Sequence, residues 1–304
     1  MKQPDTIAIP LKVQRVGQRA GQRTETAALS LPRRSRILTA FVGNFRQPSL
    51  AIAVAVLLLV LGWAIKPSLF TRFDPIQGDA AERLAAPSAR HLFGTDQLGR
   101  DVLSRVIYGA GESVRAAVLA IAIALVVGSL LGLIAGLSGS VVDSIIMRVV
   151  DILLSIPALL LSIVVVTALG FGTTKVAIAV GISGIGEFAR VMRSSVLSIA
   201  SRKYIESSYG LGLGHAHVAF AHVLPNALSA VLALASISFG NVILQIASLS
   251  FLGYGNPLPA PEWGSIIADG RNYLVSGWWL IVLPGLVVIA VVLSANRLGH
   301  AWND

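Results

Sequence analysis

Long apolar stretches alternate with polar ones along this chain. The apolar runs cover Ser49–Ile65, Ser113–Leu137, Val141–Leu169, Lys175–Val191, Ala227–Leu252 and Trp278–Ala295. Each is close to or above the ~17–25 residues an α-helix needs to cross a bilayer. The pattern therefore predicts an all-α membrane protein with six transmembrane helices. Polar segments separate them at 66–112, 193–226 and 253–277, and 1–48 and 297–304 flank the set. Six spans put both termini on one side. Lys12, Arg15, Arg19, Arg23, Arg33, Arg34, Arg36 and Arg46 crowd the first segment, and such a basic bias marks the cytoplasmic side. Alternation then makes 66–112 and 253–277 external and 193–226 cytoplasmic. Residues 1–48 lack apolar periodicity and read as a basic cytoplasmic tail, mostly disordered, with Ile37–Phe45 suited to the membrane surface. The rest divides into 49–112, the first span with its external segment, and 113–304, a core of five spans that includes the 193–226 loop.

Details within the spans add expectations. Gly128, Gly132 and Gly136 fall four apart, a small-residue face that lets two helices approach closely. Pro157 should kink the third span, with Ser155 taking up freed backbone groups. Arg148 and Asp151 are three apart on one helical face and can pair. The fourth span is rich in glycine (Gly181, Gly184, Gly186) and ends in Glu187-Phe-Ala-Arg190. Trp278 and Trp279 mark an interface belt. In the fifth span Ser238, Asn241, Gln245 and Ser248 share one face. That polar stripe either lines a solute path or supplies interhelical hydrogen bonds.

Composition agrees with a lipid environment. Of 304 residues 55% are hydrophobic and 13% charged, about half the charged share of soluble domains. The net charge of +9 collects in the first segment and at span ends, where membrane topology accounts for it, so nucleic acid is not implied. There is no cysteine, which excludes disulfides and thiolate metal sites. No Gly-x-x-x-x-Gly-Lys-Ser/Thr and no His-Glu-x-x-His occurs. Gly94-Thr-Asp-Gln-Leu-Gly99 follows no strand and is a poor phosphate loop. His215 and His217 lie on different helical faces and read as surface histidines. The sequence thus offers no catalytic residue, no metal site and no cofactor of its own.

The chemistry-bearing stretch is Arg202–Asn226, RKYIESSYGLGLGHAHVAFAHVLPN. A polar loop this long between two spans exceeds what a connection needs, and it reads as a docking element for a soluble partner. A short helix there can sit in a cleft of that partner. Gly210, Gly212 and Gly214 permit close backbone approach, Glu206 meets a basic group, and Pro225 ends the element and sets the angle of the next span.

Glu206-Ser207-Ser208, then Gly212, then Leu224-Pro225 resembles the EAA loop of bacterial ABC importer permeases, with serines in place of both alanines. Serine costs only about 0.5 kcal/mol of helix propensity relative to alanine. His222-Val-Leu-Pro-Asn226 is similar to the form in dipeptide, oligopeptide and nickel permeases. Two external stretches, His91–Arg105 (HLFGTDQLGRDVLSR) and Pro259–Gly270 (PAPEWGSIIADG), resemble the C-type subunit of the same family, as does Asp74-Pro75. The resemblance covers roughly residues 45–304. It implies a type I ABC importer permease fold with a cytoplasmic coupling helix, in a multi-pass protein of the bacterial inner membrane. It also implies a second related permease, two ATPase subunits that carry ATP and Mg, and an extracytoplasmic substrate-binding protein. The substrate implied is a di- or oligopeptide, with nickel or glutathione as the alternative within the family. An ion-coupled secondary transporter is the alternative of another class. That reading requires a partnered charge near mid-membrane or inverted repeats, and only Asp151 approaches the first.

Overall fold

The computed structural model describes residues 48–257 and 259–303. The expectations for the 1–48 tail and for Ile37–Phe45 lie outside the described residues, apart from Pro48. Helix α1 spans Pro48–Ile65 and buries only Leu50, Ala53 and Val60. Its remaining surface is apolar and exposed, as at Ile52, Leu58 and Ile65, which is the surface a lipid-facing helix presents. Residues 66–101 then fold into an outer cap of short turns, including the 3-10 turns Pro67–Leu69 and Ala80–Glu82.

Helix α2 runs unbroken over Val102–Leu137. Asp101 starts it, its carboxylate accepting from Ser104 N at 2.7 Å. At 1.5 Å per residue the helix is about 54 Å long, against a hydrocarbon core of about 30 Å. The apolar pattern starts this span at Ser113 and leaves residues 102–112 in the external segment. No proline or cap interrupts the backbone between Val102 and Ser113, so the two stretches are one helix whose first turns belong to the outer cap.

The third apolar run is two helices, α3 (Ser140–Ser155) and α4 (Ala158–Leu169), bent by 95° at Ile156-Pro157. This is a break where a kink was expected. Ile156, preceding proline, takes extended backbone (φ −95°, ψ 128°), the conformation Pro157 imposes on its predecessor. Ser155 Oγ donates to Ile152 O at 2.7 Å, serving the α3 terminus. Ion pairs hold α3 on helix α5 (Thr173–Ala200). Asp143 grips Arg193 with two bonds of 2.5 Å, and Asp151 meets Arg190 at 2.7 Å. Asp151 therefore pairs across helices and not with Arg148, because the α3 face carrying Asp143 and Asp151 is the one that packs on α5.

Helix α5 continues to Ala200, well past the expected end of its span, and shortens the connection to the next span to match. Helix α6 (Lys203–Gly210) follows, then the single turn α7 (His215–Val218), a π-helical turn Ala219–Val223 and helix α8 (Leu224–Leu249). From Ala216 to Leu252 the helical path is unbroken, and it kinks at Gly253, whose φ is +96°. Pro225 thus does not end the loop element as expected. It occupies the first turn of α8, where a missing N–H is tolerated. The widened turn before it is closed by Leu224 N donating to Ala219 O, and Asn226 Nδ2 adds a bond to His222 O at 2.6 Å. A second π turn at Ser250–Tyr254 ends at the outer face, helix α9 (Trp263–Gly270) crosses there, and helix α10 (Trp279–Asn303) returns.

Helices α2 and α5 form the central pair. A Cβ on Gly128 would lie 2.6 Å from Phe188 Cβ, one on Gly132 2.7 Å from Met192 Cβ, and one on Gly136 2.6 Å from Val196 Cγ1. The predicted small-residue face is therefore the seam of the bundle. Among the described residues four helices (α1, α2, the α7–α8 run and α10) are long and apolar enough to cross a membrane, or five if the bent α3–α4 pair counts as one. Helix α5 carries Lys175, Glu187, Arg190 and Arg193 and falls outside that set by its charges, not its length.

Candidate functional site

The helical unit between α5 and α8 is built on one anchor. Ile205 of α6 is 1% exposed and packs among Met192, Val196 and Ile199 of α5 and Val218 and Val223 beyond it. Ile205 is the single aliphatic side chain of this eight-residue helix and fixes which face looks inward. Glu206 and Ser207 are exposed and Ser208 is half-buried. The serines do not reach outward. Ser207 Oγ donates to Lys203 O at 2.9 Å and Ser208 Oγ to Tyr204 O at 2.8 Å. Each hydroxyl is satisfied by its own helix, which explains how serine stands where the EAA pattern has alanine. Glu206 makes no ion pair among the described residues.

Gly212 has a role that spacing alone does not show. Its φ is +82°, and Leu213 N bonds back to Ser208 O at 3.2 Å. That six-to-one closure is the Schellman stop of α6, with glycine at the left-handed position. No atom lies within 4 Å of a Cβ built on Gly210, Gly212 or Gly214, so their outer faces are open. Around them Tyr204, Leu211 and Phe220 are 43%, 83% and 64% exposed. The three apolar side chains went unnoticed in the sequence, although Leu211 stands out between two glycines. The structure brings Glu206, Ser207, Ser208 and Gly212 together on one short unit. Leu224 and Pro225 lie in the following helix, half-buried and exposed respectively.

The α8 stripe is partly open. Asn241 is exposed, while Ser238, Gln245 and Ser248 are half-buried. Ser248 Oγ donates to Leu244 O of its own helix at 2.8 Å. Ser238, Asn241 and Gln245 make no hydrogen bond to another helix among the described residues.

On the outer side the two external stretches meet. Arg100 pairs with Asp96 at 2.6 Å, both nearly buried. Arg105 Nη1 donates to Pro75 O at 3.0 Å and to Pro259 O at 3.5 Å. Trp279 Nε1 donates to Thr95 O at 3.1 Å, and Trp263 Nε1 to Val106 O at 3.0 Å. Glu262 is wholly buried and caps α9, accepting from Gly264 N and Ser265 N at 3.0 Å each. Burial pushes its carboxyl above the ordinary value of 4.5, against the pull of those two N–H groups and of Ser250 and Ser113. Burial likewise raises Asp269, opposed by Arg105 and Arg100. His91, also buried, lies 2.9 Å from Asp101 and 3.1 Å from Glu82. Tryptophans, a buried acid and ion pairs thus weld the cap to the bundle end.

The described residues form a helical bundle with an L-shaped helix pair, a short helical unit at one end and a cap of turns welded to the other. Two solved structures share the fold. A chain of the MetNI methionine ABC transporter aligns with TM-score 0.51 at 17% identity, over 65% of this chain and 96% of that one. A chain of an amino acid ABC transporter solved with histidines gives 0.52 at 15%, over 65% and 92%. In sequence, the chain is 39% identical over 290 residues to the dipeptide transport system permease protein DppC of Escherichia coli, covering 93% of this chain and 97% of that one. It is 36% identical over 256 residues to the DppC protein of Alkalihalophilus pseudofirmus, covering 83% and 84%. Residues 128–302 match the family described as the binding-protein-dependent transport system inner membrane component. The chain belongs to that family, and is a multi-pass inner-membrane permease subunit of the ABC importer type.

Proposed function

We propose that the chain forms, with a second related permease, the translocation path of an ATP-driven importer for di- or oligopeptides. The observation that carries this reading is the 39% identity to a dipeptide permease over nearly the whole chain. In this arrangement both termini face the cytoplasm, α5 is the fourth of six spans, and an extracytoplasmic binding protein delivers substrate to the outer cap. Two ATPase subunits hold ATP and Mg and dock on the α6 unit. Ser238, Asn241, Gln245 and Ser248 face the path or the second permease. Their lack of interhelical partners among the described residues supports either placement. Nickel and glutathione are excluded as substrates when neither competes with radiolabelled dipeptide for uptake by the assembled importer.

The docking unit is Glu206, Ser207, Ser208 and Gly212, with Leu224 and Pro225 linking it to α8. Leu211 enters an apolar pocket of the ATPase and Glu206 meets a basic group there. A path from ATPase to membrane exists in the unbroken helix that follows, since motion of α6 is passed to α8 through Ile205 and Val223. The test must separate docking from the loop's own stability. Gly212→Leu adds bulk and also forces a side chain into left-handed backbone, at a cost of about 1–2 kcal/mol. Gly212→Asn adds bulk where asparagine tolerates that backbone. Gly212→Asn, Leu211→Asp and Glu206→Lys should each reduce co-purification of the ATPases and substrate-stimulated ATP hydrolysis while leaving membrane insertion intact. Normal association in all three would remove α6 as the docking element.

A further inference from the structure

The joint between the outer cap and α9 contains three buried polar atoms with no hydrogen-bond partner among the described residues: Gln97 Oε1, Arg105 Nη2 and Asp269 Oδ2. All three residues line one small cavity together with Asp96, with Val102, Ile266 and Leu280 as its apolar walls. The cavity leaves about 10 Å³ for the centre of a water-sized sphere, the smallest space that holds one molecule. The closest approach of Arg105 to Asp269 is 3.9 Å, too long for a hydrogen bond and typical of a pair bridged by solvent.

We propose that a single ordered water occupies this cavity and joins Gln97 and Arg105 to Asp269. The donor and acceptor inventory fits one water. It accepts from Arg105 Nη2 and donates to Gln97 Oε1 and Asp269 Oδ2, and each of the three atoms is then satisfied. The distance fits as well. A water about 2.8 Å from both Nη2 and Oδ2 subtends roughly a right angle across their 3.9 Å separation. Charge argues against an ion. Asp96 and Asp269 are balanced by Arg100 and Arg105, and Asp96 is already engaged by Arg100 at 2.6 Å. Arg100 Nη2 is also unpartnered, but Arg100 does not line the cavity. The outer cap and α9 are thus joined through solvent at the point where the 91–105 and 259–270 stretches meet.

The test is a single-particle structure of the assembled importer in nanodiscs, at a resolution that shows ordered waters elsewhere in the protein. Expected is one isolated peak within hydrogen-bond distance of Gln97 Oε1, Arg105 Nη2 and Asp269 Oδ2. An empty cavity, or Arg105 closed directly onto Asp269, overturns the proposal. Hydrogen exchange of the same complex gives an independent reading. Gln97→Leu removes one acceptor, and amides of both 96–105 and 263–270 should exchange roughly fivefold faster, the loss of about one hydrogen bond. Asp269→Asn keeps an acceptor and should change exchange far less. Unchanged exchange in Gln97→Leu, or acceleration confined to 96–105, also overturns it.

Discussion

Placing a methyl group in the α2–α5 seam should destabilise the bundle although it improves helix propensity. Alanine is favoured over glycine by about 1 kcal/mol in a helix interior, so Gly132→Ala should stabilise if that helix were free. The structure forbids it. A Cβ there runs into the carbonyl oxygen of Ala189, and lies 2.7 Å from Met192 Cβ and 2.9 Å from Arg193 N. Carbon-to-oxygen contacts between packed helices sit near 3.3–3.6 Å, so the axes must part by roughly 1 Å. The obstacles are mainly backbone, and no rotamer change relieves them. Overpacking of this kind costs about 1–3 kcal/mol, which exceeds the propensity gain over most of its range. Gly136→Ala should be milder, because its close contacts are Val196 Cγ1 and Cβ at 2.6 and 2.9 Å while the nearest backbone atom, Arg193 O, is 3.4 Å away. Gly285→Ala is the control. Nothing lies within 4 Å of that position on α10, so the propensity gain should appear unopposed. The assay is thermal unfolding of the assembled importer in nanodiscs. Gly132→Ala should lower the midpoint, Gly136→Ala should lower it less, and Gly285→Ala should hold or raise it. A Gly132→Ala midpoint equal to that of Gly285→Ala would falsify the packing argument.

Two further outcomes are expected. Because Glu262 holds its proton more tightly folded than unfolded, the folded state binds more protons, and stability should fall as pH rises from about 4.5 through the raised value. Thermal scans across pH should show this slope, flattened in Glu262→Gln; an equal slope in the variant would assign the pH dependence elsewhere. Single cysteines at Gln77 and Asn256 should react with an impermeant thiol reagent added to intact spheroplasts, whereas Ser208→Cys should react only after lysis. The chain has no native cysteine to interfere, and labelling of Ser208→Cys before lysis would reverse the proposed topology.

The sequence alone determined what depends on local periodicity. Apolar length located the four helices long and apolar enough to cross a membrane among the described residues, and the four-residue spacing of Gly128, Gly132 and Gly136 placed one close-packed face. The three family-like stretches were also readable, because each is contiguous. Tertiary structure decided what depends on partners far along the chain. Asp151 had Arg148 at a favourable spacing, yet docking of α3 gave it Arg190 instead. Proline 157 announced a bend, but its 95° depends on α3 being held across α5 by Asp143–Arg193 as well as on the proline itself. Pro225 looked like a stop and lies inside a helix, because a preceding π turn re-pairs the backbone. Gly212 looked like a surface for close approach and is first the left-handed stop of α6. The meeting of Arg105 with Pro259 and Asp269 joins residues more than 150 positions apart. No spacing rule reaches that far; only the packing of α2, α9 and α10 around buried Trp263 and Trp279 brings those charges into one site.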